Sequence, residues 1–104
     1  MAVISTDKEG YILDLEKWTP EIGKQIASSE GIALTKEHWE LIFTARKFYA
    51  TYEVSPEWRP LVKFTKSELG LEKGNSLYFL NLFPGGSTKL IAKIAGLPRP
   101  ANCL

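Results

Sequence analysis

The spacing of apolar and polar residues along the 104-residue chain predicts several helices after a short extended start. The opening stretch AVISTDKEGYIL places two β-prone runs around the turn-rich TDKEG, which predicts a β-hairpin. From residue 19 onward, apolar residues recur three and four positions apart, as in helices that bury one face. We therefore expect an α+β, predominantly α fold, with the hairpin region at 1–18 followed by a small orthogonal bundle of about five helices at 19–95.

Capping residues predict where these helices begin and end. The expected N-caps are Thr19, Thr35, Ser55, Asn75 or Ser76, and Ser87 or Thr88. After Ser55, the sequence Pro56-Glu57 favours a helix start, although Pro60 lies deep enough to delay or kink this helix. Gly96 is expected to end the last helix as a left-handed C-cap.

The residues after Gly96 predict a mobile C-terminal arm at 96–104. Pro98 and Pro100 fix two φ angles near −65° and bias the preceding residues toward extended conformations, so the arm is expected to be semi-stiff. It carries the only cysteine of the chain, Cys103, at the penultimate position. At roughly 3 Å per residue the arm could place this thiol about 20 Å from the helix end.

A thiol on such an arm can enter a partner's pocket, and the thiolate is the reactive form. With no second cysteine to resolve it, an oxidised or sulfur-loaded Cys103 must pass its cargo to another molecule. This favours a carrier over a self-contained oxidoreductase. The competing interpretation is that a tail cysteine is tolerated because it touches nothing. Arg99, four residues earlier, gives an exposed thiolate only slight stabilisation.

Composition argues against a metal site and against membrane insertion. Cys103 and His38 are too few ligands for a metal site, and no cofactor is expected. The chain shows neither a secretory signal nor an apolar run of about 18 residues, so we expect a cytoplasmic protein without membrane insertion.

Charge divides the chain into two unequal halves. Residues 1–58 contain 6 Lys/Arg and 10 Asp/Glu, for a net charge of −4, whereas residues 59–104 contain 7 and 2, for +5. The basic half includes Lys63, Lys66, Lys89, Lys93 and Arg99. It would steer acidic partners or tRNA, and an ordinary solvated surface is the competing interpretation.

Two further patterns have a structural and a functional interpretation. His38, near a helix start, is more typical of a surface or capping-region histidine than of a base or a nucleic-acid contact. Trp18, Trp39 and the aromatic residues at 43–52 are more typical of core packing than of a stacking platform.

The predicted helices at about 36–52 and 56–69 also fit a helix-turn-helix outline, which leaves a nucleic-acid-binding regulator as an alternative function. The second of these helices offers mainly Arg59, Lys63 and Lys66 instead of a set of base-reading side chains. Sequence-specific DNA binding is therefore the weaker interpretation.

Four stretches of the chain resemble one known family in order: EGYILDLEKWTPEI, LTKEHWELI, EKGNSLYFLNLFPGG and KIAGLPRPANCL. Together they resemble the DsrC/TusE family, which comprises the gamma-subunit-like proteins of dissimilatory sulfite reductase and sulfur-relay relatives in tRNA thiolation. The resemblance covers roughly residues 9–104. The terminal Gly-Leu-Pro-basic-Pro-x-x-Cys-aliphatic pattern is specific in combination with Lys-Gly-Asn-Ser and Leu-Phe-Pro upstream.

The resemblance implies a mostly helical fold with an N-terminal hairpin and a mobile arm whose penultimate cysteine, here Cys103, carries sulfur as a persulfide in a sulfurtransferase relay. The branch that works with sulfite reductase has a second arm cysteine eleven positions upstream, where this chain has Ala92. Disulfide or trisulfide chemistry within one chain is therefore not available, and the resemblance is closer to a single-cysteine carrier. The expected arm and docking residues are Gly96, Pro98, Arg99, Pro100, Lys93 and Lys89.

The resemblance also implies partners. Single-cysteine members accept sulfur from an upstream relay complex and deliver it toward the enzyme that thiolates the wobble uridine of certain tRNAs, which implies an indirect association with tRNA. The alternative partner is a sirohaem sulfite reductase.

Overall fold

A computed structural model describes residues 5–85 and 88–100 of the chain, and these form five α-helices. They are α1 (Pro20–Ser29), α2 (Lys36–Tyr52), α3 (Trp58–Leu69), α4 (Ser76–Leu82) and α5 (Thr88–Ile94), with a 3₁₀ turn at Leu15–Lys17 ahead of α1. The mainly helical fold and the number of helices agree with the sequence expectation. None of the helices in these two segments is long and apolar enough to cross a membrane.

Three of the predicted N-caps are confirmed. Thr19, Thr35 and Asn75 each accept a hydrogen bond from the backbone N–H three residues further on, at 3.3, 3.4 and 2.9 Å. These side chains satisfy N–H groups that have no partner inside the helix, which stabilises a helix by about 1 kcal/mol each.

Helix α3 begins later than its predicted cap. Its N-cap is Glu57, which makes no side-chain capping bond, and its first residue is Trp58. The hydroxyl of Ser55 is used elsewhere, because it donates a hydrogen bond to the carbonyl oxygen of Pro98. Pro60 is the third residue of α3, where the missing N–H would have had no intrahelical partner, so the proline is tolerated in the first turn.

The N-terminal segment forms a tight turn, and the predicted β-hairpin is not supported. Residues 1–4, the start of that hairpin, lie outside the described residues. Within 5–85 and 88–100 no β-strand is present, and extended pairing is limited to one antiparallel bridge between Thr6 and Ile12. The carboxylate of Asp7 closes the turn by accepting two backbone N–H groups, at 2.9 and 3.0 Å. A capped 3₁₀ turn follows almost directly, which prevents the second half from extending as a strand.

Helix α5 lies at the centre of the fold. Its residues Ile91, Ala92 and Ile94 are completely buried. Helices α1 and α2 both pack against α5, and α3 packs on α2. This position fixes the direction in which the chain leaves the end of α5.

The aromatic residues predicted for the core divide into two groups. Trp18 and Phe48 are buried, and Trp39 packs partly buried against the core. Phe43 and Tyr52 remain 48% and 56% exposed, so the core interpretation holds for only part of the set.

Of the two structural roles predicted for His38, the capping role is confirmed and the surface position is wrong, because the side chain is buried. Its Nδ1 accepts the backbone N–H of Thr35 at 3.1 Å, and Thr35 in turn accepts from the backbone of His38. Because Nδ1 is an acceptor, Nε2 carries the proton and donates to the carbonyl oxygen of Leu82 at 2.7 Å. The imidazole therefore ties the start of α2 to the end of α4.

Candidate functional site

The chain turns out of α5 at Gly96, which confirms the predicted C-cap. Gly96 has a φ of +71° and donates its N–H to Lys93 at 3.3 Å, while Leu97 donates to Ala92 at 2.9 Å. This pair of bonds is a Schellman motif, which favours glycine at the left-handed position. A Cβ at Gly96 would also lie 2.2 Å from the ring of Trp18. Glycine is thus required twice, by the backbone conformation and by the close approach of the indole.

Trp18 and Arg46 satisfy the remaining carbonyl groups at this helix end. The indole Nε1 of Trp18 donates to Ile94 at 2.8 Å, and the guanidinium of Arg46 donates to Ala95 at 2.6 Å. The guanidinium also lies 4.0 Å from the centroid of the Trp18 ring, a cation–π arrangement. Partial burial lowers the pKa of Arg46, yet arginine stays charged in proteins. The start of the arm is therefore fixed by side chains from distant parts of the chain.

The arm continues along the body as far as the structure describes it. Leu97 is 3% exposed and Pro100 is fully buried. The carbonyl oxygen of Pro98 accepts the hydrogen bond from Ser55, and Arg99 forms an ion pair with Glu9 at 2.8 Å. Exposed pairs of this kind contribute about 1 kcal/mol or less. The sequence predicts an arm at 96–104 but leaves open whether it rests against the body. For residues 97–100 the structure answers this question, because apolar burial and these bonds hold them against the body.

Cys103 lies outside the described residues, and its role as the sulfur-carrying residue stays a prediction. The packed position of Pro100 changes its expected reach. Three residues at about 3.3 Å each let Cys103 extend roughly 10 Å from Pro100, about half the distance expected for an arm free from Gly96.

The two lysines predicted as docking residues lie on α5, four positions apart. The ammonium of Lys93 is 3.7 Å from the carboxylate of Glu30 and 5.4 Å from the ring centroid of Tyr11. Lys93 therefore contacts the same N-terminal turn that pairs with Arg99. Lys89 is partly buried in the first turn of α5. The structure thus brings Gly96, Pro98, Arg99 and Pro100 together along one path, while Lys93 supports the turn beside it.

A groove of about 450 Å³ lies next to the described part of the arm, and we call it the arm groove. Its apolar lining consists of Phe48, Tyr49, Val54, Pro60 and Pro98, and its charged lining consists of Glu53, Glu57 and Arg99. Glu53, directly after α2, has a φ of +57° and is the one non-glycine residue with positive φ in the described part of the chain. This left-handed conformation costs an ordinary residue about 1–2 kcal/mol.

Sequence reasoning missed the residues that hold the arm. Four residues, each 43 to 90 positions away in the chain, contact the arm or its base, so no local pattern indicates them: Glu9, Trp18, Arg46 and Ser55. One signal was present for Trp18, since a buried indole N–H needs an acceptor.

Comparisons with known protein sequences match almost the whole chain. The family model described as "DsrC like protein" matches residues 2–104. The "Sulfurtransferase TusE homolog" of Haemophilus influenzae is 48% identical over 101 residues, which cover 97% of this chain and 93% of that protein. The "Sulfurtransferase TusE" of Salmonella typhimurium is 46% identical with the same coverage.

Solved structures share the fold. The NMR structure of Allochromatium vinosum DsrC has a TM-score of 0.86 at 40% identity and covers 97% of this chain and 90% of that one. The crystal structure of the oxidised gamma-subunit of the dissimilatory sulfite reductase (DsrC) from Archaeoglobus fulgidus has a TM-score of 0.80 at 34% identity, with 97% and 92% covered.

Proposed function

The chain belongs to the DsrC-like family, and from this premise we propose that it is a sulfur carrier that holds a sulfane sulfur as a persulfide on Cys103 and passes it to a partner protein. The observation that carries the proposal is the 48% identity to a sulfurtransferase TusE homologue over 97% of the chain. The position of the only cysteine supports it, because Cys103 lies three residues after Pro100, which is packed against the body.

The proposed chemistry is a transfer between thiolates. The Cys103 thiolate attacks the outer sulfur of a donor persulfide, the S–S bond of the donor breaks, and the donor leaves as a thiolate. An acceptor thiolate then attacks the outer sulfur on Cys103 and releases the Cys103 thiolate. Each step exchanges one S–S bond for another, so no external oxidant or reductant is consumed.

For the partners we favour an upstream sulfur-relay complex as donor and, as acceptor, the enzyme that thiolates the wobble uridine of tRNA, in the cytoplasm. The names of the curated relatives support this pathway over a sirohaem sulfite reductase. Ala92 supports it as well, because this chain has no second thiol for an intramolecular disulfide or trisulfide.

A helix-turn-helix regulator is not favoured. The relatives carry sulfurtransferase and DsrC names, and the regulator would rest only on the helix pair and on the exposed residues Arg59, Lys63 and Lys66 of α3. Gel-shift titrations with duplex DNA at two salt concentrations would favour the regulator only if tight, Cys103-independent binding appeared.

Mass spectrometry of the intact protein tests the carrier function. After incubation with a persulfide donor, wild type should gain about 32 Da, one sulfur atom, and Cys103→Ser should gain nothing. A thiol acceptor added afterwards should remove the added sulfur. Wild type that stays unmodified under conditions in which a control thiol protein is persulfidated contradicts the proposal.

A further inference from the structure

The arm groove offers an apolar surface that the described chain leaves open. Its lining places the rings of Phe48 and Tyr49 beside Val54, which is 58% exposed. Tyr52, 56% exposed, packs against Phe48 with ring centroids 4.8 Å apart and ring planes tilted by 54°, and it extends this apolar surface beyond the groove. Adjacent exposed apolar side chains next to a concave surface are typical of an interaction site.

The charge around the arm groove is acidic. Arg99 is paired with Glu9, which offsets its charge. Glu53 and Glu57 also line the groove, and neither carboxylate forms an ion pair with any residue in 5–85 or 88–100. Two uncompensated negative charges therefore accompany the apolar lining.

Glu53 has a left-handed backbone conformation, with a φ of +57°. Its left-handed conformation favours glycine, or asparagine as a second choice, yet the chain places a carboxylate there. The conformation ends α2, because the N–H of Glu53 donates to the carbonyl oxygen of Tyr49 at 2.7 Å, and it leaves the carboxylate among the residues that line the groove. Glu53 has no described ion-pair partner that would explain its presence by stability alone.

The groove is also within reach of the proposed sulfur carrier. Pro98 and Arg99 belong both to the arm and to the groove lining, and Cys103 is only four residues beyond Arg99. A partner seated in the groove would therefore have its surface within roughly 10–15 Å of the thiol.

We infer that the arm groove is the docking site for the sulfur-transfer partner, and that this partner presents an aliphatic or aromatic side chain flanked by lysine or arginine. The apolar side chain fills the space between Phe48, Val54 and Pro98. The flanking cations pair with Glu53 and Glu57. This inference rests on the proposed carrier function and adds to it the place and the chemistry of partner recognition.

Amide chemical shifts of the full-length, ¹⁵N-labelled protein test the inference with three short peptides. The first has a central leucine flanked by lysines, the second has glutamates in place of the lysines, and the third has glycine in place of the leucine. The first peptide should shift the amides of Val54, Ser55 and Arg99 in a saturable way. Raising the salt concentration should weaken this binding, because exposed charges are screened.

Two double variants with the same change in charge separate the groove from general acidity. Glu53→Asn with Glu57→Gln should raise the midpoint of the first titration about threefold to tenfold, the loss expected for two exposed charge pairs. Asparagine is chosen because it tolerates the left-handed conformation. Glu16→Gln with Glu21→Gln removes two exposed carboxylates outside the groove and should leave the midpoint unchanged.

Any of four outcomes overturns the inference: no saturable shifts with the first peptide, equal binding of the lysine and glutamate peptides, shifts centred outside the groove, or equal midpoints for the two double variants. Equal binding of the leucine and glycine peptides would overturn its apolar part. Persulfidation of Cys103 by a small-molecule donor should be the same in wild type and in both double variants. Wild type that is persulfidated but does not bind the first peptide would overturn this inference and leave the carrier function intact, whereas wild type that is not persulfidated would overturn the carrier function.

Discussion

The indole of Trp18 donates its N–H to the carbonyl oxygen of Ile94 over 2.8 Å and thereby ties the segment before α1 to the last turn of α5. The bond is buried and joins residues 76 positions apart. It therefore forms only when the helical body is assembled, and it fixes the point at which the arm leaves that body.

Trp18→Phe should lower the free energy of unfolding by about 1–3 kcal/mol. The ring stays largely in place, but the buried carbonyl group of Ile94 loses its donor. Urea denaturation measures the loss. Trp39→Phe is the matched control, because Trp39 is partly buried and its indole N–H makes no hydrogen bond within the described residues. Losses of the same size for both variants would contradict a special role for the Trp18 bond.

Gly96→Ala should be more destabilising than Gly31→Ala, although both glycines have similar positive φ angles of +71° and +77°. At Gly31 nothing lies within 4 Å of an added Cβ, so the cost is the backbone term, about 1 kcal/mol. At Gly96 the added atom meets the Trp18 ring, and overpacking adds about 1–3 kcal/mol. Thermal unfolding of the two variants, followed by circular dichroism, gives the difference directly. If the two variants melt together, the close packing of Trp18 on Gly96 is refuted.

Ser55→Ala should loosen the arm with little effect on global stability. The lost hydrogen bond to Pro98 is worth about 1 kcal/mol or less, but it is one of the few bonds that hold this part of the arm. Backbone ¹⁵N relaxation should show a lower order parameter at Arg99. The amide of Leu97 is an internal control, since its bond to Ala92 is untouched.

Ser67→Ala removes an exposed hydroxyl on α3 and should change neither amide. An Arg99 amide that is as ordered in Ser55→Ala as in wild type would indicate that apolar burial and the ion pair with Glu9 hold the arm without the Ser55 bond.

Tyr78→Phe should raise stability slightly and reduce alkaline destabilisation. The Tyr78 hydroxyl is buried without a hydrogen-bond partner among the described residues, and burial raises the pKa of this phenol. The phenol loses its proton at lower pH in the unfolded chain than in the folded one, so its ionisation favours unfolding. This effect on the free energy of unfolding is absent below the unfolded pKa and grows as pH rises toward the folded pKa.

Urea midpoints are measured at about pH 8 and about pH 11, on either side of the pKa of about 10 that a tyrosine has in an unfolded chain. Tyr78→Phe should lose less stability between them than wild type does. Some loss should persist, because the pKa of Lys73 is also raised, chiefly by its hydrogen bond to Glu40, and that contribution has the same sign. The exposed Tyr52→Phe should behave as wild type, and an unchanged alkaline loss in Tyr78→Phe would refute the assignment.

The parts of the fold that local chemistry decides could be predicted from the sequence. Thr19, Thr35 and Asn75 cap the helices that follow them, because a short polar side chain needs only its own backbone neighbours to do so. The left-handed Gly96 could be predicted for the same reason. The family resemblance also rested on short stretches with a fixed order.

Long-range contacts account for what the sequence could not predict. Ser55 has the features of an N-cap, but its hydroxyl bonds to Pro98, 43 residues away, and α3 begins at Trp58. Pro98 and Pro100 predict a semi-stiff segment, but local sequence cannot show that it packs, because only the folded body offers the surface that buries Leu97 and Pro100. The N-terminal hairpin fails because the chain after Ile12 enters a capped 3₁₀ turn.

The burial of Leu97 and Pro100 also concerns how the protein is made. Synthesis on the ribosome delivers these residues after the rest of the described body, so the core stays incomplete until they too have been made and released from the ribosome. Products that stop short of residue 97 lack both apolar contacts, and cellular proteases degrade such incompletely folded chains readily. Quality control by proteolysis would therefore remove truncated molecules that lack the arm.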